Sequence, residues 1–190
     1  MSNTGMQREA GAASQAEIER VVLPHLDAAY NLARWLVRNP QDAEDVVQDA
    51  CLRAMRFIGG YREGDARAWL LRIVRNTAYT FLEKNRPAAL SEEFDESLHA
   101  PDDGKTSDVE TEFARSTDRE MLQAALEMLP VRFREALILR ELEGLAYKEI
   151  AEIMEIPIGT VMSSLARARE QLREKLLTAQ SKGVHRGVRE

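Results

Sequence analysis

Basic and aromatic side chains are interleaved over one short stretch in the first half of the chain. Arg62, Arg67, Arg72, Arg75 and Lys84 alternate with Tyr61, Trp69, Tyr79 and Phe81, and Asn76 sits among them. That mixture suits single-stranded DNA, whose backbone needs positive charge and whose unstacked bases need a π-face. Trp69 and Phe81 fit an apolar core better than a DNA surface, so the aromatic half of the signal is weak. Arg75 and Asn76 do not, because neither enters an apolar core without polar partners.

A second stretch, "IPIGTVMSSLARARE" at 156–170, reads as the start of a helix that lies against duplex DNA. The short helix "YKEIAEIM" and the turn "EIPI" precede it, which completes a helix-turn-helix pattern. Its first turn presents Thr160 and Ser163. Arg167 and Arg169 follow on polar positions, with Arg173 and Lys175 beyond, and arginine bonds guanine in a bidentate manner or clamps phosphate. Residues 162–166, Met162 to Ala166, carry no charge at all. A plain helical hairpin would show much the same apolar pattern, so the motif needs a second, independent signal.

Catalytic chemistry has no comparable footing. His25, His99 and His185 are far apart, and with Cys51 as the single cysteine they offer no zinc-ligand spacing. No phosphate-cradling glycine loop or nucleophile–base arrangement can be identified. The expectation is a protein without metal, cofactor or small-molecule substrate. One cysteine makes an intrachain disulfide impossible, and the start "MSNTGMQREAGAASQAE" has neither an apolar core nor a cleavage signal. No apolar run approaches the roughly 18 residues that span a bilayer. A cytoplasmic protein with no membrane insertion is expected.

The elements that position these residues are helices. Leu, Ala, Glu and Arg dominate, aromatics make up 6%, and only six prolines and ten glycines interrupt the chain. Leu26, Ala29, Tyr30, Ala33, Leu36 and Val37 share one helical stripe. At Asn39-Pro40 a new helix starts, with Asn39 as cap and Pro40 in its first position. Val46, Val47, Ala50, Cys51, Ala54 and Met55 form its expected buried stripe, and its other face shows Asp45, Gln48, Asp49 and Arg53. "GGYREGD" is a loop, and a third helix runs to Pro87. No periodicity is visible from Ala88 to about Ser116. Amphipathic helices resume with "DREMLQAALEML" and "PVRFREALILRELE", the latter ended by Gly144. Ile150, Ala151, Ile153, Met154, Val161 and Leu165 are the expected core of the helix-turn-helix pair.

The fold class expected is therefore all-α, with two small helical domains. Residues 1–16 read as a disordered start, 17–87 as the first domain, 88–116 as a flexible acidic linker, 117–178 as the second domain and 179–190 as a basic tail. Charge follows the same division. The whole chain is at −6, but residues 87–127 hold 3 basic and 12 acidic groups, whereas 163–189 hold 7 basic and 2 acidic. Overall acidity does not exclude DNA binding, since phosphate contacts respond to the field within a Debye length of ~8–10 Å.

In this order the segments resemble the extracytoplasmic-function sigma factors of the bacterial sigma-70 family. "NPQDAEDVVQDACLRAMRFI" and "ARAWLLRIVRNTAY" look like sigma region 2. "LPVRFREALILRELEGLAYKEIAEIMEIPIGTVMSSLARAR" looks like region 4. The resemblance implies a non-catalytic subunit that binds core RNA polymerase at the β′ clamp and β flap, reads −10 and −35 promoter DNA, and is held by an anti-sigma factor. It places polymerase docking on Asp45, Gln48, Asp49 and Arg53. Reading of the −10 strand would fall to Tyr61, Arg62, Arg67, Arg75 and Asn76, and −35 reading to Thr160, Met162, Ser163, Ala166, Arg167 and Arg169. Met162, Ser164 and Ala166 depart from the family's usual basic residue, Arg, and His or aromatic, and Ala146 replaces a usual Ser at a helix start. The residues alone also fit a stand-alone operator-binding regulator, or a helical adaptor that acts as a decoy. The linker's acidity suggests mimicry of nucleic acid near the polymerase active site. A linker with its carboxylates changed to amides should then initiate poorly in run-off transcription, and normal initiation would discard the idea.

Overall fold

The computed structural model describes residues 16–62, 64–90 and 112–184, excepting the side chains of 112–119 and 179–184, and all its regular elements among these are helical. Most of the expected linker, the first 15 residues and the last six lie outside the described residues.

Three helices form the first domain. Residues 16–21 make a helical turn, and a 3₁₀ turn at Leu23–His25 leads into α1 (Leu26–Val37). Helix α1 stops where the sequence requires it. Pro40 drives the residue before it out of the helical region, and Asn39 is extended at φ −116°, ψ 130°. Arg38 makes the turn at φ 65°, a left-handed conformation that costs a side-chain-bearing residue energy. Helix α2 (Pro40–Phe57) then starts under the Asn39 side chain, whose Oδ1 accepts the amides of Gln41 at 2.8 Å and Asp42 at 3.2 Å. Ala43, Val46, Ala50 and Ala54 are its buried row, and three alanines let α1 and α3 approach closely. Val47 and Cys51 are half-buried. Met55, expected in the same stripe, is 47% exposed. The row 47–51–55 lies at the edge of the stripe, and burial there depends on where neighbouring helices end, which periodicity does not encode.

Helix α3 (Ala66–Asn85) is capped by Asp65, which accepts the amides of Arg67 at 2.9 Å and Ala68 at 3.1 Å. Its core face is Ala68, Leu70, Leu71, Val74, Thr77, Ala78 and Leu82. At its far end Arg86 donates to the Val37 carbonyl and to Asp42, which ties α3 to the α1–α2 corner.

The second domain holds α4 (Glu112–Glu127), α5 (Val131–Leu137, continued by a π-helical turn at Ile138–Leu142), α6 (Tyr147–Met154) and α7 (Ile158–Val184). Helix α4 starts within the stretch expected to be linker. A backbone can be helical there on the propensity of Glu, Ala and Arg alone, without the apolar stripe that makes a helix visible. Gly144 ends the π turn at φ 65° as its residue type suggests. Between α6 and α7 the turn residue Glu155 is left-handed at φ 57°. Ile150, Ile153 and Met154 of α6 meet Val161, Leu165 and Ala168 of α7 in one buried cluster, with Ala151 at its edge. This is a helix-turn-helix.

Helix α6 begins with half a capping box. Glu149 accepts the Ala146 amide at 2.6 Å, but the Ala146 methyl cannot accept the reciprocal bond. Ala146→Ser is expected to supply it and to stabilise the domain by about 1 kcal/mol, read as a rise in the thermal midpoint by circular dichroism.

Candidate nucleic-acid interface

The loop before α3 and the first two turns of that helix form a cavity of about 350 Å³, bordered by Tyr61, Arg62, Trp69 and Arg72, with Glu152 of α6 at its edge. The Tyr61 and Trp69 rings stand 5.2 Å apart at 58°, and the Tyr61 hydroxyl donates to the Gly64 carbonyl at 2.7 Å, which fixes the ring. Hydrogen bonds to Asp65 hold its carboxylate below the usual range despite the opposing effect of burial, and they fix the start of α3 beneath the cavity. Aromatic faces beside exposed Arg62 and Arg72 provide both things an unstacked base requires.

Arg67, in the first turn of α3, and Arg75 and Asn76, further along it, are all engaged within the chain. Arg67 pairs with Glu143. The Nε of Arg75 donates to Glu135 at 2.9 Å, its Nη1 donates to Asn76 at 3.0 Å, and its guanidinium lies 4.3 Å from the Tyr79 ring centre. The Tyr79 hydroxyl donates to the other Glu135 oxygen at 2.6 Å. Burial pushes the Glu135 carboxyl up, opposed by Arg75 and Tyr79. Burial, then the Glu135 charge, pushes the Tyr79 phenol up, so it stays a donor. Both glutamates belong to the second domain, and the carboxylate that partners Arg75 lies sixty residues away.

On the helix-turn-helix, Met162 is exposed at 50%, Thr160, Ser163, Ala166 and Arg167 are half-buried, and Arg169 is exposed. The Ser163 hydroxyl donates to the Thr160 carbonyl at 3.1 Å, and Arg169 pairs with Glu141 at 2.9 Å. Ser164 faces inward at 3% exposure. The outward surface at the start of α7 is thus Ile158, Met162 and the Ser163 edge, apolar at its centre.

Helix α2 carries the third predicted group. Asp45, Gln48 and Asp49 are exposed along one face, and Arg53 joins Asp49 in an ion pair of 2.9 Å. Leu52 and Phe57, at 56% and 63% exposed, and Met55 extend this region with apolar surface. Sequence reasoning passed over Leu52, although it sits three residues after Asp49 on the same face.

The sequence matches the family model for Sigma-70 region 2 over residues 21–87 and that for Sigma-70, region 4 over residues 119–172. It is 38% identical over 154 residues to the ECF RNA polymerase sigma-E factor of Haemophilus influenzae, covering 76% of this chain and 79% of that protein. The chain belongs to the extracytoplasmic-function sigma factors. The ECF RNA polymerase sigma factor SigE of Mycolicibacterium smegmatis is 35% identical over 161 residues, which span 83% of this chain and 61% of that protein. Among solved structures, the sigma factor RpoE in complex with the anti-sigma factor NepR from Bartonella quintana is similar at a TM-score of 0.64. It has 30% identity and covers 84% of this chain and 96% of that one. CnrH in complex with the cytosolic domain of CnrY shares the fold at a TM-score of 0.63 and 22% identity, covering 90% of this chain and 94% of that one.

The first domain is thus region 2 of a sigma factor and the second region 4, and the sequence left their relative placement open. In the structure α3 packs against α6 and α1 against α5. Arg134 of α5, with no exposed surface, donates to the carbonyls of Trp35 at 2.7 Å and Leu36 at 3.3 Å at the end of α1. It also donates to those of Leu129 at 2.9 Å and Glu127 at 3.3 Å in its own domain. Arg38 reaches back to the Leu129 carbonyl at 3.3 Å. No local signal marks the role of Arg134 between the domains, since its partners at Trp35 and Leu36 are backbone carbonyls nearly a hundred residues away. Arg134→Ala strands these carbonyls and is expected to cost about 3 kcal/mol. Arg53→Ala, which breaks an exposed pair, should cost under about 1 kcal/mol. Urea unfolding of both variants measures the contrast.

Proposed function

We propose that this sigma factor binds core RNA polymerase, carries it to promoters and helps to open the DNA there. Region 2 would dock on the β′ clamp through Asp45, Gln48, Asp49 and Arg53, with Leu52 and Phe57 adding apolar contact. The cavity formed by Tyr61, Arg62, Trp69 and Arg72 would take an unstacked base of the −10 strand, and Arg67, Arg75 and Asn76 would follow its backbone. Region 4 would contact the β flap and meet the −35 duplex through Thr160, Met162, Ser163, Ala166, Arg167 and Arg169. The observation that carries this reading is the aromatic, cation-flanked cavity in region 2 on the same chain as the helix-turn-helix of region 4. Two independent nucleic-acid surfaces in that order fit promoter recognition at two elements.

Reading of −35 sequence by an apolar, uncharged first turn would depend on methyl contact and on DNA shape. Phosphate contacts from Arg169, Arg173 and Lys175 would add affinity without sequence choice. Phosphodiester synthesis would belong to the polymerase, and the chain would act as a non-catalytic specificity subunit in the cytoplasm. Among the described residues no helix is long and apolar enough to cross a membrane. RpoE and CnrH were each solved with a protein partner, the anti-sigma factor NepR in the first case. An anti-sigma factor is proposed for this chain as well.

In run-off transcription with core polymerase and fragments of the source genome, discrete start sites should appear only when the chain is added. Tyr61→Ala should lower initiation by about tenfold, the loss of one base–aromatic stack, and Arg169→Ala should weaken promoters that depend on their −35 element. Polymerase binding without transcripts would point instead to a decoy.

A further inference from the structure

Helix α7 begins with two apolar side chains that the fold does not use. Ile158 and Met162 stand four residues apart in its first two turns, hence one above the other on the same side. They are 42% and 50% exposed, whereas Val161, Leu165 and Ala168 on the other side are buried against α6. The polar side chains around them are committed elsewhere. The Ser163 hydroxyl donates to the Thr160 carbonyl, Ser164 is buried, and Arg169 is paired with Glu141. Ala166, one turn beyond Met162 in the same row, adds only a methyl.

What fits this surface follows from its surroundings. The patch leads into a helix and tail of opposite character, since residues 163–189 hold 7 basic and 2 acidic groups. An apolar patch continuous with a cationic helix matches a polyanion that carries apolar groups of its own. Duplex DNA is such a molecule, for the thymine C5-methyl stands in the major groove among donors and acceptors. A helix-turn-helix places the first residues of its second helix against base edges, which is where Ile158 and Met162 lie.

We propose that Met162 is the specificity-determining residue of region 4 and that, with Ile158 one turn before it, it reads thymine C5-methyl groups in the −35 duplex. The inference rests on the assignment of α7 to the −35 element. The methionine side chain is unbranched and polarizable, so it can settle on a methyl without exact alignment. Selectivity also comes from what it rejects. The other bases present only donors or acceptors there, and a thioether that covers them removes their water and returns little. Removal of one methyl from water is worth about a fourfold change in affinity, so the choice of sequence is real but shallow. Cations further along α7 act on phosphates and do not alter that choice.

The test uses the full chain bound to core RNA polymerase and duplexes with a randomised −35 window. Selection for binding should enrich thymine at one or more fixed positions. Replacing those thymines by deoxyuridine removes the methyl alone, and each replacement that matters should weaken binding about fourfold. Met162→Ala, at an exposed position, should bind the thymine duplex about as weakly as the unaltered chain binds the uracil one, and should not distinguish the two. Indifference of the unaltered chain to uracil at every position would overturn the proposal. So would a Met162→Ala variant that keeps the full preference, which would trace it to DNA shape. A variant with unchanged affinity for both duplexes would equally overturn it and leave the patch to a protein partner. Run-off transcription separates this failure from that of the broader reading. Start sites that depend on the chain, together with indifference to uracil, would keep the sigma function and remove only the methyl contact.

Discussion

The guanidinium of Arg134 has no exposed surface and donates to backbone carbonyls of both domains. It sits where α1 ends, on carbonyls that have no helical partner of their own. The negative end of that helix dipole makes the position favourable for a cation. Arg86 takes the next carbonyl, at Val37, and Arg38 turns the chain out of α1 and reaches back to Leu129. Three arginines therefore converge on one helix end and connect α1 to α3 on one side and to region 4 on the other. The neighbouring Glu135 faces α3, which makes Arg134-Glu135 the pair that sets how region 4 lies on region 2. The pairing of Arg67 and Arg75 with region 4 follows from that placement.

Features encoded locally were legible in the sequence. Asn39 and Pro40 act on the next three residues, and the cap and helix start stand where those two residue types dictate. Gly144 occupies a left-handed position that few other residues tolerate. The helix-turn-helix core of Ile150, Ile153, Met154, Val161 and Leu165 follows from period and turn alone. Tertiary placement was not legible. Met55 belongs to the apolar row of α2, yet its exposure depends on neighbours encoded elsewhere. Arg75 needs a polar partner by its chemistry, but no local pattern pairs it with Glu135.

The uncharged start of α7 takes a consistent place in this scheme. Met162 and Ile158 offer apolar contact, Ser164 is part of the core, and Arg169 is engaged with Glu141. A region 4 of that kind gains little from bases alone, so the proposed holoenzyme would supply the remaining affinity by holding both DNA elements at once. Glu135 and Glu143 then contribute twice. They hold region 4 against α3, and they neutralise Arg67 and Arg75 there.

The most direct measurement is the distance between the domains in solution. Dyes on cysteines placed at Asp27 and Leu177, both exposed, in a Cys51→Ser background would report it by single-molecule energy transfer. The account predicts one compact population for the free chain and a separated one when core polymerase is added. A free chain already separated, or a distance unchanged by polymerase, would contradict it.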